Sequence, residues 1–231
     1  MKSTAIHTSL ILSLLMFLGA CASSPAPEAK EVYVDPLRFE KVVNGYLSSD
    51  SVSMPPTNAV LFVGSSSIHG WKDVADHFPE LTVINRGMGG SHMSDLIFHM
   101  DKIVFPYRPN AILVYEGDND IAAGKSPEIV LRDYLIFVEK VLEKQPSTPI
   151  FFISIKPSLA RVDHMEAMAQ ANALIKAHTE TVENLHFIDI FYPMLGEDGK
   201  PLPSIFKDDG LHMNADGYAI WAEAIREGLG L

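Results

Sequence analysis

Three serines stand in a row at positions 65–67, within the stretch Val63-Gly-Ser-Ser-Ser-Ile-His-Gly-Trp71. Far downstream, His212 follows Asp209 by three residues. A serine hydroxyl is inert as a nucleophile until a neighbouring base takes its proton. His212 can be that base. A single turn of chain can bring the Asp209 carboxylate to the ring nitrogen that faces away from the serine. That contact would fix the tautomer and stabilise the imidazolium. A tetrahedral oxyanion also needs hydrogen-bond donors. Glycines let backbone N–H groups approach without a Cβ in the way, and Asn85-Arg-Gly-Met-Gly-Gly90 is rich in them. An asparagine amide, as in Gly117-Asp-Asn-Asp120, is a neutral further donor. Together these parts suit acyl transfer. Taken singly, each has a plainer explanation. Serine favours turns and N-caps, and the chain has nine histidines, so any one of them is ordinarily structural or solvent-exposed.

These residues must be brought together by the elements between them. Short, continuous apolar runs occur at Ala59–Val63, Leu81–Ile84, Ala111–Tyr115, Ile150–Ile155 and Leu185–Ile190. Runs of this kind suit strands buried on both faces. Helical periodicity lies between them. Asp35-Pro36 starts one helix and Ser126-Pro127 another, each with an N-cap followed by proline at the first helical position. Further helices are expected over about 92–103, 165–182 and 214–229. Strand–helix alternation predicts a single α/β domain over residues 35–231, with a parallel sheet covered on both faces. Ligands of such sheets sit beyond the carboxyl ends of the strands. The serine cluster follows the first run, Gly87 to Gly90 the second, Gly117 to Asp120 the third, and the Asp209/His212 pair lies downstream of the fifth.

The ordered blocks Gly64-Ser65-Ser66, Asn85-x-Gly87-x-x-Gly90, Gly117-x-Asn119-Asp120 and Asp209-x-x-His212 resemble the SGNH hydrolases, the GDSL-type esterase/lipase family. The likeness runs from about Ala59 to the C-terminus. It implies a three-layer α/β/α, flavodoxin-like fold with a five-stranded parallel sheet. It implies Ser66 as nucleophile, with Asp209 and His212 completing a catalytic triad. It also implies an oxyanion hole made by the N–H groups of Ser66 and Gly90 and the side chain of Asn119. The family's Asp in its Gly-Asp-Ser block is Ser65 here, a position that is neither nucleophile nor base. There is no Gly-x-Ser-x-Gly elbow, because position 68 is Ile, and no motif calls for a metal or another cofactor.

Trp71, Met88 and Met93 could line an acyl pocket or belong to the core. Arg161, in the loop after the fourth run, could meet a substrate, but reads more simply as an exposed arginine.

The N-terminus predicts export. Residues 1–20 carry Lys2, an apolar stretch from Leu10 to Leu18 and then small residues, the pattern of a signal peptide. Leu18-Gly-Ala-Cys21 resembles the lipobox of bacterial lipoproteins, with Cys21 as the lipidated residue and 21–34 as anchor and tether. Ala22 after that cysteine points to the outer membrane. Cleavage near Ala22 would give a soluble periplasmic or secreted protein instead. Cys21 is the chain's single cysteine, so disulfides, thiolate catalysis and cysteine-ligated zinc are excluded from the domain. A formal net charge of −11 argues against nucleic acid as a partner.

The expected function is a serine esterase acting on small acyl or acetyl esters of a carbohydrate, a lysophospholipid or a simple alcohol. An O-acyltransferase with the same triad, or a non-catalytic envelope protein binding glycan or lipid, stand as rivals.

Overall fold

The computed structural model describes residues 35–231. The expected signal peptide, Cys21 and the tether lie outside the described residues. Five strands form one all-parallel sheet: β1 (Val60–Gly64), β2 (Val83–Gly87), β3 (Ala111–Tyr115), β4 (Ile150–Ile153) and β5 (Leu185–Ile188), in the order β2-β1-β3-β4-β5. Seven α-helices accompany them among the described residues: α1 (Glu40–Val52), α2 (Ser66–Gly70), α3 (Met93–Ile103), α4 (Asp118–Ala122), α5 (Pro127–Lys144), α6 (Met165–Thr179) and α7 (Ala215–Leu229).

Alternation along the strands divides the core in two. Leu61, Val63, Ile112, Val114, Ile150 and Phe152 pack with α1, α3, α5 and α6 in one cluster. Val60, Phe62, Leu113, Tyr115, Phe151 and Ile153 pack with Trp71, Phe78 and α7 in the other. Helices on both faces of a parallel sheet give the three-layer α/β/α arrangement expected, and the strand order is the flavodoxin-like one.

Helix starts follow their caps. Asp35 accepts from Leu37 N at 3.0 Å, although the chain first makes a 3-10 turn (Pro36–Phe39) before α1. Ser126 caps α5, and Asn214 caps α7 by accepting from the N–H groups of Asp216 and Gly217. Strand β2 departs from expectation, starting at Val83 and running on to Gly87. It is an edge strand, and its polar residues are tolerated because each finds a polar partner. Arg86 finds Asp50 at 2.6 Å and Asn85 turns toward α2. Helix α6 stops at Thr179, short of Val182.

The topology decides where a site can form. From β1 the chain passes to β2 on one side, then returns to β3 on the other. The crevice at such a switch point, beyond the strand ends, is where open α/β sheets bind ligands. Gly64 at the end of β1 is paired with Gly87 of β2 and Tyr115 of β3. The loops after these three strands therefore start side by side.

Candidate active site

The turn after β1 is set by Gly64. Its φ is +137°, and a Cβ there would stand 2.0 Å from the Tyr115 carbonyl oxygen, so only glycine fits. That same carbonyl accepts from Ser65 N at 3.0 Å, and Ser65 O then accepts from Ile68 N and His69 N to open α2. Ser66 is the first residue of α2. Ser65 and Ser67 are 0% and 1% exposed, whereas Ser66 is half-buried. Of the three serines in the row, Ser66 alone has a surface that a substrate could reach. Asn85 holds the helix from the side, donating to the carbonyls of Ile68 (2.7 Å) and Trp71 (3.2 Å) while accepting from Gly87 N (2.9 Å).

Gly90 lies in the loop after β2 with φ +86°, a left-handed conformation, and a Cβ there would meet no atom within 4 Å. Asn119 sits in α4, just beyond β3. Its Nδ2 donates to Ser91 O at 2.9 Å, bonding the loop that follows Gly90 to α4. Arg38 adds a side-chain contact to Gly90 O at 3.3 Å and an ion pair with Asp95 at 2.7 Å.

Asp209 and His212 meet as their spacing predicts. The Asp209 Oδ2 lies 2.6 Å from His212 Nδ1, and its Oδ1 accepts from the backbone N–H groups of Leu211 (2.9 Å) and His212 (2.8 Å). The hydrogen bond to the imidazole, followed by those backbone donors, holds the Asp209 carboxyl far below the usual range, so it is ionised at any working pH. The turn is closed by Lys207 N donating to His212 O (2.8 Å) and by the Phe206–Met213 bridge. Helix α7 starts immediately after it. From that helix Tyr218 donates to Ser67 O at 3.0 Å, and its ring stacks on Trp71 with centroids 4.9 Å apart. Burial pushes the Tyr218 hydroxyl up to about 12, so it remains a donor. The element behind His212 is thus bonded to the residue after Ser66, although 151 positions separate the two partners.

Beneath these loops lies a set of buried charges. Asp118 accepts from Ser65 Oγ at 3.5 Å and pairs with Arg161 (3.1 Å) and Lys156 (3.7 Å). Arg161 Nη2 also donates to Asn119 Oδ1 at 2.8 Å. Burial pulls the Lys156 ammonium down, against the attraction of Asp118. Asp120 pairs with Lys125 (2.8 Å), which also reaches Asp133 (2.9 Å). Glu116 accepts from Ser91 Oγ. Burial, then the nearby charges of Asp120, Asp118 and Asp95, push its carboxyl well above the usual range, so it is held protonated.

Arg161 corrects the simpler expectation for it. Its side chain is only 16% exposed and is joined to both Asp118 and Asn119. Arg161 carries no sequence signal for these contacts, because they join α4 to a 3-10 turn (Leu159–His164) far along the chain. Trp71, Met88 and Met93 are fully buried core residues. His69 bonds Gly87 O, and the buried His92 caps α3, so both serve the framework.

Comparison with known proteins agrees with this architecture. A Streptococcus pneumonia protein provisionally described as a platelet activating factor matches with a TM-score of 0.74 at 21% identity, over 81% of this chain and 91% of its own. A GDSL-like lipase from Bacteroides thetaiotaomicron matches with a TM-score of 0.68 at 19% identity, over 81% and 97%. An acetyl-xylooligosaccharide esterase variant from Geobacillus matches with a TM-score of 0.58 at 17% identity, over 77% and 96%. At such identities the likeness concerns the fold. No curated protein matches the sequence. The family model for the GDSL-like lipase/acylhydrolases matches residues 54–220, which span every element from β1 into α7. The chain therefore belongs to the GDSL-like lipase/acylhydrolase family and is a serine hydrolase acting on ester bonds.

Proposed function

We propose that the protein is a carboxylic-ester hydrolase working through a Ser66–His212–Asp209 triad and an acyl-enzyme. His212 Nε2 takes the proton as Ser66 Oγ attacks the ester carbonyl carbon. The carbonyl oxygen becomes an oxyanion, held by the N–H groups of Ser66 and Gly90 and by Asn119 Nδ2. Collapse breaks the bond to the alcohol oxygen, and His212 returns its proton to that leaving group. Water then attacks the acyl-enzyme while His212 accepts its proton. The carboxylic acid departs and the proton goes back to Ser66. Asp209 stays ionised throughout and holds Nδ1–H toward itself.

The observation that carries this reading is the docking of an oriented Asp209–His212 pair, 2.6 Å apart, ahead of a helix bonded to the Ser66 turn. Trp71, Met88 and Met93 are fully buried, so none of the three lines an open acyl pocket. The acetyl-xylooligosaccharide esterase among the structural neighbours makes acetylated sugars the first substrates to try.

The test uses fluorophosphonate labelling and hydrolysis of p-nitrophenyl acetate and acetylated xylo-oligosaccharides. Ser66→Ala should lose labelling and about 10⁴-fold or more in kcat, whereas Ser67→Ala should keep both. Equal activity in wild type and Ser66→Ala removes the assignment. Products formed with added alcohols would show whether an acyltransferase reading is needed.

A further inference from the structure

Asn119 has a side-chain amide whose two ends differ only by a flip, and the flip decides whether it can serve an oxyanion. Turned one way it presents N–H to the site, and turned the other way it presents a carbonyl oxygen. Its neighbours admit one answer. Arg161 can only donate, so the atom 2.8 Å from its Nη2 must be the amide oxygen. The Ser91 carbonyl can only accept, so the atom 2.9 Å from it must be the amide nitrogen. One Nδ2 hydrogen goes to Ser91 O, and the second is left for another acceptor.

From this arrangement we infer that Arg161 is a positioning residue for the ester hydrolysis, locking and polarising the Asn119 amide as an oxyanion donor. The inference rests on the reading of Asn119 proposed above.

Three further observations support it. The guanidinium is itself held. Its Nη1 pairs with Asp118 Oδ2 at 3.1 Å, and Asp118 is 2% exposed. Asp118 also accepts from Ser65 Oγ at 3.5 Å, one residue before Ser66, so a single buried chain runs from the nucleophile turn through Asp118 and Arg161 to Asn119. The segment carrying Arg161 is bonded to the acid–base turn as well, because Ala160 N donates to Gly210 O at 3.0 Å.

The physical effect has two parts. A charge-assisted hydrogen bond to the amide oxygen draws electron density from the nitrogen, which strengthens the remaining N–H as a donor. A buried, paired arginine also cannot relax when the oxyanion forms, so the donor is preorganised. Both effects act in the transition state more than on bound ester. Loss of Arg161 should therefore appear in kcat rather than KM.

The experiment is a double-mutant cycle on p-nitrophenyl acetate with Arg161→Met, Asn119→Ala and the double variant, each checked for native circular dichroism and melting. Arg161→Met should lower kcat by about 10- to 100-fold with KM within about threefold. In the Asn119→Ala background the same change should cost less than about twofold, because no amide is left to position. Arg161→Lys keeps a cation beside Asp118, guards against loss of folding, and should recover part of the rate. Equal losses in both backgrounds would overturn the inference, as would an Arg161→Met enzyme with wild-type kcat. A different result, an Asn119→Ala enzyme as fast as wild type, would instead remove Asn119 from the oxyanion hole.

Discussion

Asp209 and His212 sit on a surface turn with side chains 49% and 36% exposed, whereas Asp118 and Lys156, in the floor that carries Asn119, are 2% and 1% exposed. The first pair is made by residues three apart, held by the turn's own backbone N–H groups. The second set joins α4, the segment that follows β4 and the 3-10 turn beyond it. On the mechanism proposed above, the two regions have different tasks. An acid–base pair must pass protons to alcohol and water, so it needs access. An oxyanion hole must present fixed dipoles in a setting where water does not screen them, so it needs burial. Buried charge is costly unless fully paired, and such pairs are weak grounds for stability. Their presence under Asn119 fits preorganisation better than it fits stabilisation of the fold.

Three substitutions sharpen that contrast. The largest effect belongs to the exposed pair. His212→Ala should reduce kcat by about 10⁴-fold or more, with little change in melting temperature because the side chain packs on a turn. A loss below tenfold would show that another base serves Ser66. The buried half should give a smaller kinetic loss: Asn119→Ala is expected to lower kcat by about 10²- to 10³-fold. A comparable rise in KM with kcat intact would mean that Asn119 binds ground-state ester instead.

The smallest effect is thermodynamic and concerns Glu116. In the unfolded chain this carboxyl ionises above about pH 4.3, but in the fold it is held protonated. The native state then binds more protons than the unfolded state. Stability from this residue is complete below the unfolded value and falls as pH rises, by up to about 1.4 kcal/mol per pH unit, until the native value is reached. Glu116→Gln can still accept from Ser91 Oγ and carries no such slope. Its stability relative to wild type should rise as the pH is raised above about 5, where the unfolded carboxyl has ionised, read from urea midpoints at constant ionic strength. A difference that stays flat across that range would show Glu116 ionised in the native protein.

How much of this was legible depended on the range of the interaction. The strands were visible because both faces of β1, β3 and β4 are covered, which leaves unbroken apolar runs. Edge strand β2 starts two residues later than its apolar run, because Asn85 and Arg86 are met by polar partners in α2 and at Asp50, and apolar runs do not report such a strand well. Caps at Asp35 and Ser126 are local and were readable. Asp209 with His212 was readable for the same reason. Arg161 was not: its partners Asp118 and Asn119 lie 43 and 42 positions away.

The sequence by itself determined the strand–helix alternation, the glycine that lets the chain turn at the end of β1, the acid–histidine spacing and the kind of chemistry these parts can do. Those features follow from short-range sterics, side-chain period and functional-group chemistry, which are written in consecutive residues. The tertiary structure alone decided which of the three serines stays accessible, which way the Asn119 amide faces, and that Asp118, Lys156 and Arg161 share one buried site. The physical reason is that accessibility, amide orientation and charge pairing are set by what the folded chain brings close from distant positions, and no local pattern records that.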